Sequence, residues 1–134
     1  MFENDSFVCL VPFWAVWPFE TMLAPQARGF KLRANREERG DALAAAFSEM
    51  TIRYDSLFET SFAYSMGFHQ QPTYNSAHPE WALHAPFHPP LWRSASVEKF
   101  IVGFEMLGTT QRDIAPEGAV ERLSAMPAAH YLNR

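Results

Sequence analysis

The chain has 134 residues, of which 48% are hydrophobic and 19% charged. That is enough apolar material for one folded domain over 1–134, with no signature of disorder. A formal net charge of −4 offers no basic field for nucleic acid or an anionic membrane surface, so neither is expected as a partner. The lone cysteine, Cys9, excludes an internal disulfide framework and a thiolate cluster.

The acidic start, Met1-Phe2-Glu3-Asn4-Asp5, carries no signal-peptide features, and no apolar run approaches the ~20 residues needed to span a bilayer. A soluble, cytoplasmic protein is the expectation. Aromatic residues reach 15%, twelve of the side chains being Phe, which suggests more flat apolar surface than one small domain buries.

Residues 7–12 read as a short buried strand holding Cys9 as a core thiol, closed by Pro12. The aromatic segment 13–19 follows; two prolines around it forbid a continuous helix, and an extended loop is expected, with a further strand at 20–24. Asn35 is a favourable N-cap with Glu38 three residues on, as a capping box requires. Leu43, Phe47, Met50, Tyr54 and Leu57 then recur at helical spacing, predicting a helix over about 36–58 with that stripe in the core.

Three strand-like runs come next, at 62–69, 81–88 and about 97–107. In the second, Trp81, Leu83, Ala85 and Phe87 alternate with His84, Pro86 and His88. Pro86 lacks a donor, so this strand is expected at an edge or locally distorted there. A last helix begins near Pro116, with Ala119, Val120, Leu123 and Met126 facing inward and Pro127 ending it. Strands mixed with two helices predict an α+β fold built on an antiparallel sheet.

Five histidines are the obvious acid–base or metal candidates. His78 and His130 are expected in solvent, while His69 and His84 lie in neighbouring predicted strands and can meet. Lys99 and Glu105 share strand parity, so both can point at one ligand; ordinary surface charges explain them equally well. Periodicity names no substrate.

The motif strings say more. Residues 12–20, Pro-Phe-Trp-Ala-Val-Trp-Pro-Phe-Glu, resemble the segment P-[YF]-W-A-x-W-P-[FY]-E of the galactose-1-phosphate uridylyltransferase family. Residues 53–58 resemble its R-Y-D-N-L-F, residues 64–69 its Y-S-M-G-[WF]-H, and residues 89–100 its P-P-L-L-R-S-A-T-V-R-K-F. Residues 102–107 and 111–113 match V-G-[YF]-E-M-L and Q-R-D. The likeness covers about residues 2–130, in the family's order.

The resemblance implies a histidine-triad-like α+β fold in which two similar halves form one half-barrel and subunits pair as dimers. It implies exchange of UMP between UDP-glucose and galactose 1-phosphate, giving UDP-galactose, through a uridylylated histidine in a His-Pro-His motif of the other half. This chain has no His-x-His, so no catalytic nucleophile is assigned. Lys99, Phe100, Val102, Glu105 and Gln111 match positions that hold the hexose and its phosphate, and Phe104 stands where Tyr or Phe is found. An incomplete transferase is implied, working as a homodimer or with an N-terminal half. The competing readings are a non-catalytic UDP-sugar-binding or dimerisation module and a structural remnant.

The family often carries zinc or iron on one Glu of the other half and three His. Two of those match His69 and His84, but the third falls at Pro86, so weak or absent metal is expected. His88 lies about 13 Å along an extended strand from His84, too far to replace it without a bend. Glu98 also replaces the usual Arg before Lys99.

Overall fold

The computed structural model describes residues 1–27, 36–72, 78, 80–89 and 114–133, with residues 36–38 described by backbone alone. Strand β1 (Phe2–Glu3) is followed by β2 (Phe7–Leu10), β3 (Thr21–Pro25), helix α1 (Arg36–Phe58), β4 (Ser65–Met66), β5 (Ala85–His88) and helix α2 (Pro116–Ala125). A 3-10 turn covers Tyr131–Asn133.

The three longer strands obey one alternation. Phe7 and Cys9 of β2, Thr21 and Leu23 of β3, and Ala85 and Phe87 of β5 are buried, while the residues between them are half-buried. Antiparallel register lines these up, Cys9 against Leu23 and Leu23 against Ala85, so the buried sides form one continuous apolar surface. Helix α1 lies against it and contributes Ala46, Met50 and Tyr54, and α2 adds Ala119 and Leu123. Burying the Phe, Leu and Met side chains among these contributes roughly 1.5–3 kcal/mol each. Among the described residues the sheet order is β1-β2-β3-β5-β4, an α+β fold with an antiparallel sheet and two α-helices, as expected.

Strand β1 lacks a periodic signal, and Asn4 explains how it forms. The Asn4 Oδ1 accepts from the amides of Ser6 (3.0 Å) and Phe7 (2.8 Å), turning the chain back on itself. Its Nδ2 donates to the carbonyl of Ala42 at 2.8 Å, tying that turn to α1.

Helix α1 has the expected bounds, although its proposed cap Asn35 lies outside the described residues. Of the expected stripe, Met50 and Tyr54 are fully buried, while Leu43, Phe47 and Leu57 pack at the core's margin. Arg53 is buried as well, which apolar periodicity cannot show. In α2, Ala119 and Leu123 face inward as expected, but Val120 and Met126 are only half-buried.

Other expectations are corrected. The aromatic segment is not extended: the Ala15 amide donates to Pro12 and the Glu20 amide to Trp17, two successive turns that leave Phe19 at φ 60. The expected strand at 62–69 is reduced to β4 plus a single bridge pairing His69 with His84, and that at 81–88 pairs only from His84 onward. Nor is β5 an edge: it lies between β3 and β4.

Local distortion at Pro86 does occur, on one side only. His69 and His84 exchange both backbone hydrogen bonds (2.9 and 3.1 Å), so the amide positions of 84, 86 and 88 point toward β4. The register Ser65↔His88 and Met66↔Phe87 carries Pro86 opposite Gly67, where the proline has nothing to donate. The ladder breaks there and resumes at His69.

Candidate functional site

The sheet face away from α1 collects the chemistry-bearing side chains. Strand parity places Val8 and Leu10, Met22 and Ala24, and His84, Pro86 and His88 on this face, all half-buried. Register pairs Val8 with Ala24, and Leu10 with Met22, which itself faces Pro86. An apolar floor thus runs across three strands, with histidines along the β5 side.

At one end of that side, the rings of His69 and His84 stack with centroids 4.9 Å apart and planes 28° from parallel. The meeting expected from their predicted strands is therefore observed. The Nδ1 of His84 lies 2.9 Å from the carbonyl of Ala82. A carbonyl only accepts, so Nδ1 carries the proton and Nε2 of the neutral ring keeps its lone pair.

At the other end is His88. Continuing the Thr21↔Phe87 register by one step sets Glu20 opposite His88. The His88 Nδ1 is buried and has no hydrogen-bond partner among the described residues. Burial is the main reason that His88 titrates below its ordinary range; the Glu20 carboxylate partly opposes this and His69 adds to it. Glu20 is itself only 7% exposed, and its Oε2 accepts from the amides of Val16 (3.0 Å) and Trp17 (3.3 Å). That carboxylate holds the aromatic loop in its turns while Phe13 and Trp14, 86% and 64% exposed, point outward.

Lys99, Phe100, Val102, Phe104, Glu105 and Gln111, the sequence-predicted sugar and phosphate residues, lie outside the described residues, as does Glu98. Among the described residues no three His, Cys, Asp or Glu side chains gather as a metal-holding group. The Cys9 thiol is buried against Met50 and pushed up to about 12 by burial, which keeps it inert.

Two histidines expected in solvent are paired instead. His130 Nε2 is 3.2 Å from Asp55 Oδ2, and His78 Nδ1 is 3.0 Å from Glu80 Oε1. The part played by Glu20 was missed by sequence reasoning; its one signal was its place, a carboxylate closing an aromatic loop just before a strand.

The family described as galactose-1-phosphate uridyl transferase, C-terminal domain, matches residues 1–134. A galactose-1-phosphate uridylyltransferase of Haemophilus influenzae is 49% identical over 132 residues, covering 98% of this chain but only 38% of that protein. Among solved structures, a uridylyltransferase superposes with a TM-score of 0.78 at 25% identity, over 93% of this chain and 40% of that one. A Hit-like protein of Bartonella henselae, 17% identical, gives a TM-score of 0.51 over 94% of this chain and 84% of its own, a likeness of fold alone.

Proposed function

Because the chain belongs to the galactose-1-phosphate uridyl transferase family, matching its C-terminal domain from end to end, we propose that it supplies the hexose-phosphate side of a UDP-glucose:hexose-1-phosphate uridylyl transfer. The observation that carries this reading is the family match over all 134 residues, together with 49% identity over 132 residues to a protein of which the chain spans 38%. In this reading the ammonium of Lys99 meets a phosphate or hydroxyl, and Glu105 and Gln111 each bind sugar hydroxyls. Phe100, Val102 and Phe104 shape the pocket around them.

The chain works with a partner. A uridylyl group passed through a histidine needs that nucleophile presented beside the phosphate, and the sequence contains no His-x-His. The partner is a domain of the kind that makes up the remaining length of the relatives, in the same polypeptide or a separate one, with pairing of two copies as a further level. The outward Phe13 and Trp14 support this, since adjacent large aromatics on a turn braced by Glu20 make an anchor that needs little ordering on contact. The cytoplasm is the compartment that fits a single free cysteine buried in the core.

The test is turnover. The purified chain, given UDP-glucose and galactose 1-phosphate, is expected to form no UDP-galactose. Adding the part of the Haemophilus influenzae relative that this chain does not cover is expected to restore formation, and Lys99→Ala and Glu105→Ala to lower it again. Steady turnover by the chain alone would overturn the proposal.

A further inference from the structure

We infer that proline at position 86 has taken the family's metal away from this sheet face, leaving the His69–His84 pair as a metal-free staple that fastens the β4 edge. The inference rests on the family reading above, but its evidence is the geometry of this chain's own side chains.

Two imidazoles that share one zinc ion bring their ring nitrogens within ~2.1 Å of it, with in-plane lone pairs converging on a single point. The rings of His69 and His84 lie with centroids 4.9 Å apart and planes 28° from parallel. His84 retains the bond that typically orients a metal-binding histidine, its Nδ1 on the Ala82 carbonyl. One donor is therefore ready, and among the described residues no third His, Cys, Asp or Glu gathers with these two rings.

Position 86 is where that group belongs. It shares the face of His84, about 7 Å along the strand, and register sets it opposite Gly67, which offers no donor atom either. His88 does not compensate: it stands at the rung of Ser65, four residues from His84, a separation of about 13 Å. Among the described residues the buried carboxylate is Glu20, which has one oxygen held by two loop amides and sits at the His88 end.

The same proline explains the staple. With no N–H to give, Pro86 breaks the β4–β5 ladder opposite Gly67, and beyond the break the described pairing is the single bridge of His69 with His84. Two backbone hydrogen bonds and the ring stack close the edge at that point.

The experiment uses the intact chain and Zn²⁺ or Co²⁺ alone. After loading and dialysis the natural chain is expected to hold well under one metal ion, and its melting temperature to be the same in Zn²⁺ and in a chelator. Pro86→His returns an imidazole between His84 and His88 and an N–H opposite Gly67. It is expected to tighten Zn²⁺ by more than tenfold, about 1.4 kcal/mol, with a Co²⁺ ligand-field spectrum that His84→Ala in the same background abolishes. A stoichiometric ion on the natural chain overturns the inference, and so does a folded Pro86→His that binds no tighter. If Pro86→His does not fold, His84→Ala in the natural chain decides: unchanged metal content with a lowered melting temperature supports the staple, and loss of bound metal refutes it. None of these readouts depends on turnover, so failure here is separable from failure of the transferase reading.

Discussion

The guanidinium of Arg53 donates to the carbonyl of Leu123 at 3.0 Å, joining two helices seventy positions apart in the chain. The same Nη1 reaches the carbonyls of Ser124 (3.2 Å) and Met126 (2.9 Å), while Nε and Nη2 grip Glu49 Oε1 at 3.1 and 2.7 Å. A cation at the C-terminal end of α2 satisfies carbonyls that the helix leaves open and opposes the negative end of its dipole. Arg53 is 9% exposed, so water cannot replace it.

Arg53→Ala is therefore expected to cost about 2–4 kcal/mol of stability, since it strips charge-assisted bonds from the buried Leu123 carbonyl and the part-buried carbonyls of Ser124 and Met126. Arg53→Lys should cost less but not nothing, because an ammonium cannot hold Glu49 and three carbonyls at once. Urea denaturation measures both. A loss below 0.5 kcal/mol for the alanine variant would show that the helix end is served by solvent.

Tyr54 is the polar centre of the core. Its hydroxyl donates to the Phe19 carbonyl at 2.7 Å and lies 2.8 Å from the Thr21 hydroxyl. The carbonyl it serves belongs to a residue at φ 60, so the bond also holds a left-handed backbone in place. Tyr54→Phe leaves both partners buried and short of a bond, and is expected to cost about 1–3 kcal/mol. Thr21→Val in the same background should cost less than it does alone, because the two hydroxyls share one network.

Stability is expected to fall in alkali. Burial raises the Cys9 thiol from 9.0 to about 12 and lifts the Tyr54 phenol well above its ordinary 10.0. Both groups bind protons more tightly when folded, so their contribution is complete below pH 9. It is lost as the unfolded chain deprotonates on the way up. For Cys9 the loss approaches the order of 4 kcal/mol by pH 12. Cys9→Ala should flatten stability between pH 9 and 10.5; equal slopes for the two proteins would contradict a buried neutral thiol.

The acid side has the opposite sign. His88 is held below 6.5, chiefly by burial, so the unfolded chain takes up the proton first. Its contribution is present above pH 6.5 and is lost as pH falls through the folded value. His88→Gln keeps a polar side chain of similar reach and is expected to weaken the drop in melting temperature from pH 7 to 5. An unchanged profile would assign that drop to other groups.

The outward aromatics predict association. Phe13 and Trp14 lie on the β2–β3 loop, away from β5, which β3 and β4 flank on both sides. At low micromolar concentration the chain is expected to elute with light scattering above its monomer mass and to bind a hydrophobic dye. Phe13→Ser with Trp14→Ser should reduce both readings while leaving the melting temperature within about 2 °C, since surface changes move stability little. A clean monomer without dye binding would remove this support for a partnered domain.

Local pattern was enough for α1, for the cores of β2, β3 and β5, and for α2. Alternation in Phe7-Val8-Cys9-Leu10 and the stripe from Leu43 to Leu57 each follow from one residue's relation to its near neighbours, which sequence displays directly. The shared motifs made the family legible in the same way. Strand order was a different matter: no local signal says that β5 inserts between β3 and β4, because that depends on which apolar faces cover one another once the chain closes. Arg53 on Leu123, His130 on Asp55 and Glu20 across from His88 were equally hidden, each joining segments whose separation along the chain says nothing about their approach. By itself the sequence established the helix, the alternating faces, the family and the missing donor at Pro86. Only packing decided that Pro86 breaks one side of an internal strand, and that the rings of the two histidines beyond it come together, since a side chain's orientation is set by neighbours distant in the chain.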